Sequence, residues 1–145
     1  MTNDGCNGYK PAKAVRMPVS LSIDREQRLV YSAFLGTITE EDFQGQPARI
    51  LAQPHFDPTF SDILDFSSAT EMQVSDETLV RMAEQKSIFR PEAIHVVIAP
   101  RGLIRKMAKQ FQRLSLESRP NFVIVENRTQ AFEYLRQQQK SNSAF

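Results

Sequence analysis

Four polar residues at the end of a strand-like stretch form the first candidate site. Residues 60–66 (Phe-Ser-Asp-Ile-Leu-Asp-Phe) are apolar on both faces, which is typical of an interior strand in a sheet covered by helices. Asp65 lies near the end of this stretch, and Ser67, Ser68 and Thr70 follow it. Open α/β sheets bind ligands at the carboxyl ends of parallel strands, so these residues are candidates for binding a ligand or partner. Local hydrogen bonds that hold a loop would explain them equally well.

The remaining ionisable residues give little support for acid–base catalysis or metal binding. Asp62 and Asp65 are three positions apart on a strand, so they point to opposite faces and cannot share a proton or a metal ion. His95 lies in an apolar stretch, where a buried structural histidine is commoner than a catalytic base. His55 is far from it, and Cys6 is in a polar leader. We therefore expect no metal site, no cofactor and no enzymatic activity.

A basic stripe is the other local feature that suggests binding. Arg101, Arg105, Lys109 and Arg113 are spaced by four, so on a helix they lie on one face, and no acidic residue follows until Glu117. A solvated surface is one explanation of this stripe. The sharper hypothesis is that the helix docks an acidic protein surface or an anionic head group.

The elements that position these residues begin with a hairpin. Residues 19–24 alternate between apolar and polar, which predicts an edge strand with one wet face. A short turn leads to a second strand over residues 29–35, ending at Gly36, and so short a connection allows only antiparallel pairing. Thr39 is the expected N-cap of the first helix, which we expect to break near Gly45.

Three further strands come after the first helix, and each is followed by a helix. After the interior strand, residues 67–74 are expected to form a loop, and Ser75 is the N-cap of the second helix. Residues 93–99 are apolar on both faces apart from one histidine, which predicts a second interior parallel strand. Helical spacing continues over residues 103–114, then a last strand over 121–125 and a final helix that begins at Asn127.

The predicted fold class is α/β, with a mixed, mostly parallel five-stranded sheet and four helices in the order β-β-α-β-α-β-α-β-α. Crossover helices between the later strands make those strands parallel. With 145 residues, of which 41% are apolar, the chain has about the length of one domain. We expect a single domain over residues 17–139, with flexible segments at 1–16 and 140–145.

Composition excludes some partners and suggests a compartment. The net charge is +1, so no overall field favours nucleic acid. No stretch approaches the roughly 20 apolar residues that span a bilayer, and the leader lacks the apolar core of a secretory signal. A single cysteine, Cys6, suits a reducing environment. We therefore expect a cytoplasmic protein with no integral membrane contact.

Short motifs in a characteristic order make the chain resemble the STAS family, the bacterial anti-sigma-factor antagonists, and more closely a branch of small uncharacterised STAS-like proteins. The resemblance extends from about Met17 to Arg136. It is carried by four stretches, namely Phe-Leu-Gly-Thr-Ile-Thr at 34–39, Pro-His-Phe-Asp-Pro at 54–58, Leu-Asp-Phe-Ser at 64–67 and Gln-Ala-Phe-Glu-Tyr-Leu at 130–135.

The resemblance implies a binding module rather than an enzyme. Antagonists of the family carry an Asp-Ser-Ser/Thr-Gly signature after the central strand, in which a partner kinase phosphorylates a serine. Ser75 lies at about that place, but the aspartate before it and the glycine after it are absent. Asp76 and Glu77 would repel an added phosphate, so Ser75 is better explained as a plain N-cap.

Two functions remain open after this reading of the sequence. The first is a regulatory module that binds a partner protein through the segment after the central strand and the adjacent helices, with a homodimer as a further alternative. The second is a carrier for a small amphiphilic or anionic ligand. Its pocket would lie between sheet and helices and be lined by Phe56, Phe89 and Phe111. A pocket far below about 300 Å³ would count against the carrier, whereas an exposed apolar patch on the Ser75 helix would favour the module.

Overall fold

A computed structural model of the protein describes residues 18–143, with side chains through residue 140. The predicted flexible leader, including Cys6, lies outside these residues, as do residues 144–145 of the predicted tail. Within them the chain forms five strands and five helices. In chain order these are β1 (Val19–Asp24), β2 (Leu29–Thr39), α1 (Glu40–Gln44), α2 (Gln46–Leu51), β3 (Ser61–Gln73), α3 (Asp76–Glu84), β4 (His95–Ile98), α4 (Leu103–Leu114), β5 (Phe122–Val125) and α5 (Arg128–Ser143).

The strands form one sheet in the order β1-β2-β3-β4-β5. The first pair is antiparallel, with Val19 opposite Phe34, and every later pair is parallel. The fold class is therefore confirmed, including the edge hairpin and the parallel pairing of β3 with β4. β3 is the central strand, and Ile63 within it is completely buried.

The two long strands differ from the prediction. The expected loop at 67–74 is mostly strand, because β3 continues to Gln73. β2 likewise continues through Gly36 to Thr39, and the two extensions pair with each other through two register shifts. Gly36 has a φ of +68°, a conformation that other residues rarely adopt, so the glycine permits an irregularity here rather than ending the strand.

The helices between β2 and β3 follow local signals in the sequence. Thr39 Oγ1 accepts a hydrogen bond from Asp42 N, and Asp42 Oδ2 accepts one from Thr39 N, so the two residues form a capping box. The helix then breaks at Gly45, as predicted, and Pro47 lies in the first turn of α2, where its missing N–H is tolerated. Because of this break, the described residues form five helices rather than the four predicted.

The ends of the later helices are also capped. Ser75 Oγ accepts from Thr78 N at the start of α3, which confirms it as an N-cap. Asn127 Oδ1 accepts from Gln130 N before α5. The last helix extends to Ser143, into the segment that the sequence analysis assigned to a tail. No helix within residues 18–143 is both long enough and apolar enough to cross a membrane.

The sheet separates two apolar layers. On one face, Ile63, Val96 and Ile98 pack against Ala131 and Leu135 of α5. On the other face, alternate residues of the same strands pack against the remaining helices, as Leu64 and Val97 do with Ile104 and Ala108 of α4. We call this second side the four-helix face, because α1, α2, α3 and α4 cover it. The candidate site lies on this face.

Candidate functional site

A cavity of about 190 Å³ lies between the sheet and the helices of the four-helix face. Most of its wall is apolar, and five of its lining residues are phenylalanines, namely Phe34, Phe43, Phe89, Phe111 and Phe122. A smaller cavity of about 70 Å³ adjoins it and shares Phe43, Leu64, Phe111 and Phe122 as walls. Of the three phenylalanines predicted to line a pocket, Phe89 and Phe111 do so. Phe56 packs edge-on against Phe89, with ring centroids 5.2 Å apart, and lines a separate cavity of about 350 Å³ at the 54–57 loop.

Asp62 and His95 lie side by side in the floor of this cavity. They are register partners on the parallel strands β3 and β4, so their side chains project from the same face of the sheet. The distance from His95 Nδ1 to Asp62 Oδ2 is 3.1 Å. Asp62 is 4% exposed and His95 is 2% exposed. A polar pair is therefore held where the sequence pattern suggests only core.

Each member of the pair keeps one atom without a hydrogen bond. Among the residues that the structure describes, neither Asp62 Oδ1 nor His95 Nε2 has a partner. Buried polar atoms are normally satisfied, and leaving one unpaired costs about 1–3 kcal/mol. A carboxylate oxygen can only accept, so the proton of a neutral His95 lies on Nδ1, and Nε2 carries a lone pair. In this tautomer the pair has two acceptor atoms without partners, on two residues that line the cavity.

The imidazole of His95 is held in place by aromatic rings as well as by Asp62. Phe89 meets it edge-on, with ring centroids 5.1 Å apart, and Phe122 stacks on it at 6.2 Å. Both rings also line the cavity. Because the ring is fixed by three neighbours, the direction of Nε2 is fixed before any ligand binds.

Arg119, one of the two cationic residues of the wall, comes from the segment between α4 and β5. Its Nη1 donates to Ser118 Oγ at 3.0 Å and to Ala83 O at 3.4 Å, and its guanidinium lies over the Phe111 ring. Burial lowers the pKa of Arg119, and the charge of Asp62 opposes that effect. Arg119 therefore offsets part of the negative charge that Asp62 places inside the fold.

The cavity reaches the surface at the segment after α3. Gln85 and Lys86 line it and are exposed, whereas Ser87 and Ile88 beside them are half-buried. Pro47 and Ile50 of α2 face the cavity from the other side. The cavity is therefore open to solvent at the 85–88 segment.

The candidate site predicted at Asp65 lies on the opposite face of the sheet. Asp65 Oδ1 accepts hydrogen bonds from Ser67 N at 2.9 Å and Ser67 Oγ at 2.6 Å, while Asp65 Oδ2 accepts from the hydroxyl of Tyr31. The carboxylate is thus occupied by neighbours of its own sheet, which is the local explanation considered above. Ser68 and Thr70 are exposed on the extension of β3 rather than in a loop.

Tyr31 is held by more than Asp65. Its ring stacks on Phe132 of α5 at 6.1 Å, and the guanidinium of Arg128 lies over it at 5.3 Å. Burial raises the pKa of Tyr31, and the hydrogen bond and negative charge of Asp65 raise it further. The hydroxyl therefore stays protonated and donates to Asp65 at neutral pH.

Ser75 is separate from both of these groups of residues. Besides capping α3, its backbone N donates to Glu40 Oε2 at 2.7 Å, which connects the N-termini of α1 and α3. Hydrogen bonds from the side chain and backbone of Ser75 lower the pKa of Glu40. A phosphate on Ser75 would meet Glu40 in addition to Asp76 and Glu77, so phosphorylation stays a prediction with one more carboxylate against it.

The basic stripe is shorter than the sequence suggests, because Arg101 precedes α4 and does not lie on it. It is also partly neutralised. Glu126, which follows β5, lies 3.3 Å from Arg105 and 3.7 Å from Arg101. No acidic residue of α4 itself supplies this contact, because Glu126 comes from a distant part of the chain. Lys109 and Arg113 are exposed and have no ion-pair partner among the described residues.

The surface of α3 lacks the exposed apolar patch that would have favoured a docking role. Of its apolar residues, Leu79, Met82 and Ala83 are buried and Val80 is half-buried. The large apolar residues that are exposed, within the described part of the chain, lie elsewhere, at Leu35, Leu51, Leu103, Leu114 and Leu116. Three of these are on or next to α4, so the apolar and basic parts of the surface meet there rather than at Ser75.

At the level of sequence, the chain matches no protein-family model and no curated protein. Its structure is similar to the crystal structure of an uncharacterised protein of the DUF3478 family from Shewanella loihica PV-4, which has a SpoIIAA-like fold. The similarity has a TM-score of 0.52 and covers 83% of this chain and 97% of the other, at 17% sequence identity. The order of elements and this similarity together confirm the predicted architecture. The chain therefore has a SpoIIAA-like, or STAS-like, fold.

Proposed function

We propose that the protein is a binding module of STAS-like fold that holds a small molecule in the cavity of the four-helix face. The observation that carries this proposal is that two residues lining that cavity, Asp62 and His95, each keep a buried acceptor atom, Oδ1 and Nε2, without a partner among the described residues. A core that served packing alone would be expected to satisfy or exclude such atoms, because each costs free energy when it has no partner.

The size of the cavity limits the ligand. At about 190 Å³ it lies below the range of roughly 300–1,000 Å³ that is usual for drug-sized ligands. This volume counts against the carrier for a small amphiphilic ligand that was the alternative above. A ligand of single-ring size fits the cavity, so the proposed role is binding or sensing of a small molecule rather than transport of a lipid.

The role proposed is binding rather than catalysis. Asp62 orients the ring of His95 as a carboxylate orients a histidine general base, so catalysis has to be considered. Ser87 is the one hydroxyl residue in the lining, and its Oγ accepts from Phe89 N at 3.1 Å, which ties it to the local backbone. These contacts support a site that recognises a ligand through hydrogen bonds to a fixed wall.

Toluene is a suitable probe for this proposal because its size tests the cavity without requiring a polar contact. We expect it to bind the wild-type protein in ligand-observed NMR and to bind about tenfold more weakly after Met82→Phe, which places extra volume in the cavity. Met107→Phe is the matched control, because Met107 lines only the 70 Å³ cavity. Equal binding by both variants and the wild type would show that toluene binds elsewhere and would refute the proposal.

A second candidate is a regulatory module that docks an acidic partner protein on α4. The observation in its favour is that Lys109 and Arg113 are exposed without ion-pair partners among the described residues, next to Leu114 and Leu116, which are 39% and 59% exposed. Such a surface suits a partner that presents carboxylates around an apolar contact.

Cross-linked capture from native cell extract tests this candidate. Lys109→Glu combined with Arg113→Glu should abolish capture of the partner, because the substitutions reverse the charge of the surface. Arg25→Glu combined with Lys140→Glu is the matched control, since it makes the same charge change at exposed positions away from α4. Capture that survives the α4 substitutions, or is lost equally in the control, would remove the surface from consideration.

A further inference from the structure

The volume of the cavity on the four-helix face corresponds to one aromatic ring. An apolar protein cavity of about 150 Å³ is known to accept benzene. The 190 Å³ available here therefore accommodates a six-membered ring with one or two small substituents. Fused rings and long chains would require the helices to move.

The walls favour an aromatic ligand over an aliphatic one of the same size. The five phenylalanines described above surround the space, and two of them, Phe111 and Phe122, lie 5.9 Å apart at a tilt of 34°. Phe43 meets Phe111 edge-on at 6.2 Å. Aromatic pairs in offset or edge-on geometry contribute about 0.5–1.5 kcal/mol beyond the burial of area. A bound ring would extend this arrangement.

The polar atoms of the wall favour a ligand that donates a hydrogen bond. Asp62 Oδ1 and His95 Nε2 are both free acceptors when Nδ1 donates to Asp62 Oδ2. The cationic residues of the lining are Arg119, whose Nη1 donates to Ser118 and Ala83, and Lys86, which is exposed where the cavity opens. A carboxylate ligand would be repelled by Asp62, whereas an uncharged hydroxyl can donate to either free acceptor.

Resting on the proposed ligand-binding role of the cavity, we infer that its ligand is a neutral phenol, a single ring whose hydroxyl donates to the Asp62–His95 pair. An aryl hydroxyl resembles the tyrosine side chain, with a pKa near 10, so it keeps its proton at neutral pH. It combines the aromatic surface that the walls favour with the donor that the pair lacks.

Three probes of similar size separate the features of this ligand. The first, para-cresol, has the ring and the donor. The second, para-fluorotoluene, has nearly the same shape without the donor, and its fluorine allows direct detection by NMR. The third, benzoate, carries a negative charge instead of a donor. Affinities for the full-length protein at neutral pH are measured by calorimetry and by fluorine NMR.

We expect para-cresol to bind about tenfold more tightly than para-fluorotoluene, because one hydrogen bond to a buried, partly charged acceptor is gained. Benzoate should bind most weakly. The double variant Asp62→Leu, His95→Phe makes the wall apolar and should bind the two neutral probes equally. Asp62→Asn keeps the shape of the side chain while removing its charge, and should reduce the preference if the double variant does not fold.

The outcomes distinguish the ligand class from the proposed function. Equal binding of para-cresol and para-fluorotoluene to the wild type, tightest binding of benzoate, or a preference that survives in the substituted proteins would overturn the phenol assignment and leave a ligand-binding cavity in place. If none of the three probes binds at millimolar concentration, the ligand-binding role fails together with the assignment.

Discussion

Asp62 and His95 occupy matched positions on neighbouring parallel strands and share one 3.1 Å hydrogen bond in the protein interior. The contact joins the central strand to β4. Each residue leaves one acceptor atom unsatisfied. The pair therefore lowers the free energy of unfolding unless something else binds to it. A ligand that binds to the pair would raise the stability of the protein.

Removing one member of this pair should destabilise the protein more than removing both. Asp62→Leu leaves His95 Nδ1 without its acceptor, and His95→Phe leaves the Asp62 carboxylate without its donor, so each should lower the free energy of unfolding by about 1–3 kcal/mol. The double variant should recover most of this loss, because two apolar groups replace a buried polar pair. Urea unfolding of the four proteins measures the cycle, and simply additive losses would mean that the two side chains are not coupled.

The central strand should be the most sensitive part of the core. Ile63 is completely buried between β3 and α5, so Ile63→Ala should lower the free energy of unfolding by about 2–5 kcal/mol in urea titrations. Leu116→Ala is the control, because a surface position should change stability by no more than about 0.5 kcal/mol. Similar effects of the two substitutions would contradict the burial of β3.

The Glu40–Ser75 contact predicts a loss of stability in acid. The pKa of Glu40 is lowered from its ordinary value of 4.5 by hydrogen bonds from Ser75. A carboxylate whose folded-state pKa is depressed stabilises the fold above its unfolded-state pKa, and this contribution is lost as the pH falls through the lower folded-state value. Glu40→Gln should therefore flatten the acid limb of the stability curve below about pH 4.5.

Glu26→Gln provides the comparison for that measurement. It removes a carboxylate from the exposed hairpin turn, so the difference between the two variants isolates the contact with Ser75. Thermal unfolding at a series of pH values records both curves. An acid limb that stays equally steep in Glu40→Gln and in the wild type would argue against the contact.

The loss of stability at alkaline pH should depend on the ionisation of Tyr31. Burial and Asp65 raise its pKa above the ordinary value of 10.0, so the folded protein retains this proton where the unfolded chain loses it. The corresponding stabilisation is complete below the unfolded-state pKa and is lost as the pH rises above it. In an ultraviolet titration of the folded protein, one of the three tyrosines should ionise last.

Two substitutions assign this late step. Tyr31→Phe should delete it, and Asp65→Asn should move it to lower pH because the negative neighbour is gone. Simultaneous ionisation of all the tyrosines in the folded wild-type protein would mean that the Tyr31 hydroxyl is not held by Asp65.

Local signals in the sequence predicted most of the fold. Strand periodicity identified the buried residues of β3 and β4, and the caps at Thr39 and Ser75 were correct because a cap depends on residues three positions away. The break at Gly45 was also local. The extension of β3 to Gln73 was not, because its polar residues are strand only through pairing with an equally extended β2.

The candidate site depended on contacts that local patterns do not contain. Asp62 and His95 are 33 positions apart, and their pairing follows from the register of two strands. Aligning the predicted strands side by side would have placed them together, since both lie near the start of a strand. Arg119 reaches the cavity from a connecting segment with no distinctive pattern, and Glu126 approaches Arg105 across 21 positions. Such long-range contacts appear only once the strands are in register.

A crystal structure of the wild-type protein grown with para-cresol tests the central claim most directly. The account predicts a single ring in the cavity between Phe89 and Phe111, with its hydroxyl oxygen about 3 Å from Asp62 Oδ1 or His95 Nε2. A cavity that contains only water at saturating para-cresol, or a ring bound only at the outer surface, would contradict it.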